Sequence, residues 1–166
     1  MRSLIILTAL LLVLRIQAQE KKHEIGLRGG QSSGIFYRGF IDENHAIKGL
    51  LTFRNDGMQA TALYEKYDPI FNKKTNGFYL YYGIGGHFGF AQWDRRYHYP
   101  DQPYSYYNKH VASPVIGLDG IIGIEYRLNK VPLAFGFDYK PFFDLLGEDF
   151  FDIYFGDFGF SIKVRL

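Results

Sequence analysis

Pro114–Asn129 reads PVIGLDGIIGIEYRLN, and Tyr154–Leu166 reads YFGDFGFSIKVRL. In the first, alternate positions Ile116, Leu118, Gly120, Ile122, Ile124, Tyr126 and Leu128 are apolar or glycine, and Asp119, Glu125 and Arg127 fall between them. In the second, Tyr154, Gly156, Phe158, Phe160, Ile162, Val164 and Leu166 alternate with Asp157, Gly159, Ser161, Lys163 and Arg165. Val131–Pro141, which lies between, sets Leu133, Phe135, Phe137 and Tyr139 against Ala134, Gly136, Asp138 and Lys140. Successive side chains of a strand point to opposite faces, so a period of two predicts strands. Runs of ten or more residues exceed the roughly five or six of an average soluble strand. They match the roughly 9–11 tilted residues that cross a bilayer.

The amino terminus bears on compartment. Met1-Arg2 opens with positive charge, Leu4–Leu14 is apolar, and Ile16-Gln17-Ala18 precedes a cut before Gln19. This is the pattern of a secretory signal peptide, whose apolar core of about 7–15 residues is too short to span as a helix. Residues 1–18 are therefore expected to be removed, leaving 19–166 as one domain of a size that buries its own core. Arg2 and Arg15 leave with the signal, so the 19 Lys+Arg fall to 17 and balance the 17 Asp+Glu. A neutral chain without a clustered basic face gives no reason to expect nucleic acid as a partner. With no cysteine, neither disulfides nor thiolate metal sites are available. After the signal no apolar run approaches the eighteen residues of a spanning helix, so a membrane role requires a closed barrel.

Taken in order, the chain yields further strands at His23–Gly30, Ile35–Ile41, Ala46–Arg54, Met58–Tyr67 and Gly77–Phe90, with turn clusters at Gln31–Gly34, Asp42–Asn44 and Asn55–Gly57. Ile35, Tyr37 and Gly39 stand opposite Phe36, Arg38 and Phe40, and which set faces inward is open; the facing of the fourth strand is the other weak assignment. Ala91–Ser113 and Phe142–Asp152 read as long loops, of a length that is usually functional. The expectation is all-β: an eight-stranded antiparallel up-and-down transmembrane β-barrel. Eight is the smallest common size of such barrels.

If the apolar set faces lipid, the other set fills the lumen: Glu24, Arg28, Lys48, Arg54, Glu65, His87, Asp119, Glu125, Arg127, Asp138, Lys140, Asp157, Lys163 and Arg165. Eight strands enclose only enough room for side chains, which argues against an open solute pore and for ion pairs across the lumen. Tyr64, Tyr67, Tyr82, Tyr126, Tyr139 and Tyr154 are expected at strand ends or on the lipid face as aromatic girdles. A soluble, lipocalin-like carrier would need the Phe, Tyr, Ile and Leu of the apolar set inside, more than so small an interior holds.

At Gly117-Leu118-Asp119-Gly120-Ile121-Ile122-Gly123-Ile124-Glu125-Tyr126, Pro132-Leu133 and Asp138-Tyr139-Lys140-Pro141, the chain resembles small outer-membrane β-barrel proteins of Bacteroidetes, which are loosely similar to the opacity-protein and OmpA-type eight-stranded barrels. The resemblance is best over 77–166. It implies insertion by the barrel-assembly machinery through a carboxy-terminal strand, here Phe158, Phe160, Ile162, Val164 and Leu166, with Leu where an aromatic is more usual. It also implies the cell outer membrane as location, with membrane lipid and lipopolysaccharide as neighbours.

Candidate chemistry concentrates in the 91–113 segment. Trp93, Tyr97, Tyr99, Tyr104, Tyr106 and Tyr107, with Arg95, Arg96 and Lys109, suit surface sugars, lipid phosphates or a protein partner, or equally a cap over the barrel mouth. The alternative is a lipid A hydrolase or acyltransferase drawing on His98, His110, Ser105, Ser113, Asp94 and Asp101, which needs a His placed to act on a Ser. His87, alone among glycines, reads as a hydrogen-bonded filler. No cofactor and no metal is expected, since His98 and His110 lack a ligand spacing.

Overall fold

The computed structural model describes residues 22–54, 57–70, 77–99, 102–146 and 151–166; for 54, 91–99 and 102–112 the description covers the backbone alone. The expected signal peptide therefore lies outside the described residues, as does the Asn55-Asp56 part of one hairpin. Ten strands form one sheet: β1 (His23–Gly30), β2 (Ser33–Phe40), β3 (His45–Arg54), β4 (Gly57–Pro69), β5 (Phe78–Tyr99), β6 (Gln102–Arg127), β7 (Leu133–Tyr139), β8 (Phe142–Leu146), β9 (Asp152–Tyr154) and β10 (Phe158–Arg165). Their order, β5-β4-β3-β2-β1-β10-β7-β6-β8-β9 with β5 also pairing β6, closes the sheet on itself, and every pairing is antiparallel.

The ten strands make eight staves. β7 and β8 run in line along β6, and β9 and β10 run in line along them, interrupted at Lys140-Pro141 and at 155–157. Proline has no N–H to give the ladder. The interruption is bridged by the Gly120 N–H donating to the Pro141 carbonyl and the Lys140 N–H donating to the Asp157 carbonyl, both at 2.8 Å.

Register fixes the dimensions. Followed around the wall, Glu24 lies level with Arg38, Lys48, Leu63, Gly85, Asp119, Phe142 and Tyr154, yet on its other side Glu24 pairs with Arg165. The gap from 154 to 165 is eleven residues, one of which is taken up by the break at 155–157, where the inward parity changes; the stagger of about 10 residues that remains gives, for eight strands about 4.8 Å apart, a tilt near 41°, inside the usual range.

At the end that carries the termini the chain turns at 41–44, between β2 and β3, and at 128–132, between β6 and β7. There Asp42 Oδ1 accepts the N–H groups of Asn44 and His45, both at 2.8 Å. These donors, Asn44 first, hold the Asp42 carboxyl below its usual range. Gly77 enters β5 at φ 62, where a Cβ would collide with the Arg127 carbonyl.

The strands expected from sequence are present within a few residues, and both expected loops are corrected. Ala91–Ser113 is a continuation of β5 and β6, paired from Ala91↔Ser113 to His98↔Tyr106, with a register shift before Tyr99↔Gln102. Phe142–Asp152 contains β8 and the start of β9, with 147–150 outside the described residues. Local turn residues suggested loops. Backbone pairing to a neighbour overrode them, because a strand edge that can be paired rarely stays open.

Inward glycines let the small barrel close. A Cβ at Gly85 would run into the Ala62 carbonyl of β4, whereas one at the outward Gly49 meets nothing within 4 Å. Gly85→Val is therefore expected to abolish the folded band that runs differently before and after boiling on a gel, while Gly49→Val keeps it. Equal behaviour of the two variants would contradict the register.

Candidate functional site: the polar lumen and the projecting ribbon

Alternate positions of the staves turn charged side chains inward, with Phe36, Leu50, Leu63, Tyr67, Tyr81 and Phe142 buried among them. Glu24, Arg38, Lys48, Glu65, Glu125, Asp138 and Lys140 have no exposure at all, and Arg28, Asp119, Asp157, Lys163 and His87 have at most 4%. Among the described residues, seven cations (Arg28, Arg38, Lys48, Arg127, Lys140, Lys163 and Arg165) meet seven anions (Glu24, Glu65, Asp119, Glu125, Asp138, Asp144 and Asp157). Removing such groups from water is tolerable only if each charge is paired and hydrogen-bonded.

The pairs fall into two tiers. In the tier nearer the termini, Arg38 on β2 donates to Glu65 on β4 (2.8 Å), Glu24 on β1 (2.7 Å) and Glu125 on β6 (3.2 Å). Lys163 and Arg127 also hold Glu125, Arg127 through a 2.5 Å bond from Nε. Lys48 lies 3.6 Å from Glu65, and Arg165 3.3 Å from Glu24. Tyr67 and Tyr81 stack at 5.3 Å between ring centroids, with the Arg38 guanidinium 5.0 Å from the Tyr67 ring. Arg127 lies 4.1 Å from the Tyr79 ring. Cations over ring faces add attraction where water is excluded.

In the far tier, Arg28 Nε and Nη2 donate to Asp138 (2.9 and 2.7 Å), and Nη1 donates to Asp157 (3.0 Å) and to the Ser32 carbonyl (2.7 Å). The Ser32 hydroxyl donates to Asp157 and the Tyr81 hydroxyl to Asp138. Lys140 donates to Asp119 (2.8 Å) and lies 3.5 Å from Asp157. His87 stands between two carboxylates, Nδ1 2.7 Å from Asp119 and Nε2 2.9 Å from Asp144, with Phe142 edge-on to its ring. The three glutamates occupy the tier near the termini and the four aspartates the far one.

The residues expected in the lumen from sequence are thus brought together, Arg54 excepted, whose side chain is not described. The network also includes residues outside that expected set, among them Arg38, Tyr67 and Asp144. Alternation does not orient Arg38, because its strand carries Phe36 and Phe40 on one face and Ile35 and Tyr37 on the other. Its inward parity follows from register with Glu24 and Lys48. Tyr67, expected at a strand end or on the lipid face as part of an aromatic girdle, is 1% exposed inside the lumen, because odd positions of β4 point inward from Thr61 to Tyr67. Asp144 was assigned to a loop, although the inward series Asp138, Lys140, Phe142, Asp144 continues across Pro141. Tyr64, Tyr82 and Tyr126 do face outward.

The ribbon holds the other candidates. It places Trp93 opposite Val111, Arg95 opposite Lys109, Arg96 opposite Asn108, Tyr97 opposite Tyr107 and Asp94 opposite His110, while Tyr99 pairs with Gln102 and Tyr104 falls at the register shift. Neither Ser105 nor Ser113 is paired with a histidine; Ser113 is opposite Ala91.

Among solved structures, the chain is similar to the N-terminal β-barrel domain of Pseudomonas aeruginosa OprF, with a TM-score of 0.50 and 13% identity, covering 87% of this chain and 96% of that one. At that identity the likeness concerns the fold. No protein-family model and no curated protein sequence matches the chain.

Removing one partner of a buried pair strands the other, at about 3–5 kcal/mol, whereas an apolar replacement of both is far milder. Arg28→Met is expected to lower the urea midpoint more than the double variant Arg28→Met/Asp138→Leu does. Additive losses from Arg28 and Asp138 would show that the two side chains do not depend on each other.

Proposed function

We propose that this chain is an integral outer-membrane β-barrel with a structural or surface-binding role and no open solute pore. The observation that carries the reading is the inversion of the usual distribution. Charges are buried inside the wall, while Ile25, Leu27, Ile35, Ile47, Ile84, Phe88, Leu118, Ile122, Phe137 and Phe160 are each 45–74% exposed outside it. A water-soluble barrel would leave that continuous apolar belt in contact with solvent, far beyond the patch a soluble monomer tolerates.

The belt has the height of a membrane. On β6 it runs from Ile116 to Tyr126, ten steps of about 3.3 Å at a tilt near 41°, or about 25 Å along the barrel axis, the height of the apolar band of outer-membrane barrels. Its lower border carries Tyr37, Tyr64, Tyr82 and Tyr126, with His23 stacked on Tyr37 and His45 on Tyr64. Amphipathic rings at that level suit a head-group boundary. The expected signal peptide supports export, and outer-membrane lipid, lipopolysaccharide and the assembly machinery are the partners this location implies.

The two-tier network supports the absence of a pore. Side chains from β1, β2, β4, β6, β7 and β10 meet across the axis at hydrogen-bond distance, and barrels of this size are filled by their own side chains.

Ile84, the most exposed of these residues at 74%, lies near mid-belt. Ile84→Arg is expected to reduce the stability of the barrel in bilayers by about 2–4 kcal/mol, the midplane penalty for such a charge. In the same experiment the wild-type protein should fractionate with the outer membrane. A stable Ile84→Arg variant recovered together with a soluble wild type would overturn the membrane reading.

A further inference from the structure

We propose that the ribbon formed by the outer halves of β5 and β6 carries a site for a phosphate-bearing saccharide, centred on the cross-strand pair Arg95–Lys109. The inference rests on the reading of the barrel as an outer-membrane protein, which places such molecules beside the ribbon.

The ribbon leaves the wall. β4 pairs with β5 as far as Met58↔Phe90, and β8 pairs with β6 as far as Ile116↔Leu146; beyond these the two strands pair only with each other among the described residues. From Ala91 to Tyr99 the ribbon extends eight steps, about 26 Å of strand.

Register sorts its residues into two unlike sets. One holds Trp93–Val111, Arg95–Lys109 and Tyr97–Tyr107, preceded by Ala91–Ser113. The other holds Gln92–Ala112, Asp94–His110, Arg96–Asn108 and His98–Tyr106. In the second, an acid accompanies the arginine. The first has two cations directly opposite each other and no acid at any of its paired positions. Like charges directly opposite across a ladder are destabilising, and no paired position of this set supplies an acid. A bound anion would relieve them. Guanidinium and ammonium groups both accept phosphate, the first in bidentate fashion. Along the same set, Trp93 holds the pair before the cations and Tyr97 with Tyr107 the pair after them, so the register flanks two cations with aromatic residues, the residue type that sugar rings lie on. Phosphate at the centre and sugar on either side is the ligand chemistry this order of pairs fits.

The free ladder edges of the ribbon would also suit an extended peptide. Such a partner would be held by backbone groups and would be indifferent to Arg95 and Lys109, so the two occupants separate experimentally.

Trp93 is the one tryptophan of the chain, so its emission reports on the ribbon directly. The full-length mature protein, folded in a non-ionic detergent, is titrated with lipopolysaccharide, with the same lipopolysaccharide after removal of its phosphates, and with inorganic phosphate. The expected result is a saturable change with lipopolysaccharide, at least tenfold weaker after dephosphorylation, and none with inorganic phosphate over the same concentrations. Arg95→Gln/Lys109→Gln should weaken binding at least tenfold while keeping the heat-modifiable folded band. Undiminished binding by the dephosphorylated form or by the double variant overturns the proposal, as does equal saturation by inorganic phosphate. Loss of the ribbon site with the folded band and outer-membrane fractionation intact would leave the membrane reading standing.

Discussion

The interaction on which the rest of this structure depends is the burial of Arg38 among Glu24, Glu65 and Glu125. A closed sheet of eight tilted staves leaves no layer between one wall and the opposite one, so side chains from opposite strands must meet on the axis. One guanidinium, with five donors in a fixed plane, joins β2 to β1, β4 and β6. A lysine there could supply charge without that geometry. The glycines of β5 complete the arrangement. Gly83, Gly85 and Gly89 all face β4 backbone that a Cβ would strike, so this sector of the wall presents its backbone, and the long side chains of the opposite sector occupy the space.

Charge is balanced over the lumen as a whole and unbalanced along it. The tier near the termini carries Arg38, Lys48, Arg127, Lys163 and Arg165 against Glu24, Glu65 and Glu125; the far tier carries Arg28 and Lys140 against Asp119, Asp138, Asp144 and Asp157. The tiers are coupled where Tyr81, stacked on Tyr67, donates to Asp138. In the far tier both ring nitrogens of His87 face carboxylates, and its imidazolium form is the one that offers a donor to each, which reduces the surplus of negative charge there. The same contact ties β8, the segment beyond Pro141, back to β5, a strand with which β8 has no ladder pairing.

Much of this was legible in the sequence, and the exceptions have physical causes. Period-two alternation identifies strands and faces where one face is uniformly apolar, as in Ile116–Leu128 and Phe158–Leu166. It is silent in β2, where Phe36 and Phe40 lie on the same face as Arg38, and that silence concealed the hub of the network. It also carries no information about which aromatic is a girdle and which a filler. Tyr64 and Tyr67 differ by three positions in one strand, an odd number, and therefore face opposite ways. Pro141 and the polar run 91–113 read as strand terminators, since turn chemistry is local. The backbone of 91–113 pairs with itself at separations from 22 residues (Ala91↔Ser113) down to 3 (Tyr99↔Gln102), and past Pro141 the chain pairs Phe142 with Asp119, 23 residues away.

A filled and charge-matched lumen has a consequence for where function can reside. Side chains that hold one another across the axis are committed to the fold, and the apolar belt outside the wall offers only hydrocarbon surface. What remains uncommitted is the end away from the termini. There two strands outrun their neighbours by about eight residues, and a two-stranded ribbon standing alone in water is only marginally stable. The sequence of that ribbon does little to help itself: its register sets Arg95 against Lys109, and it holds the one tryptophan and five of the fourteen tyrosines of the chain. Residues selected for stability would be arranged the other way, with an acid opposite a base. A register that sets two cations opposite each other, with aromatic residues at the pairs before and after them, is the one expected of a surface completed by its ligand.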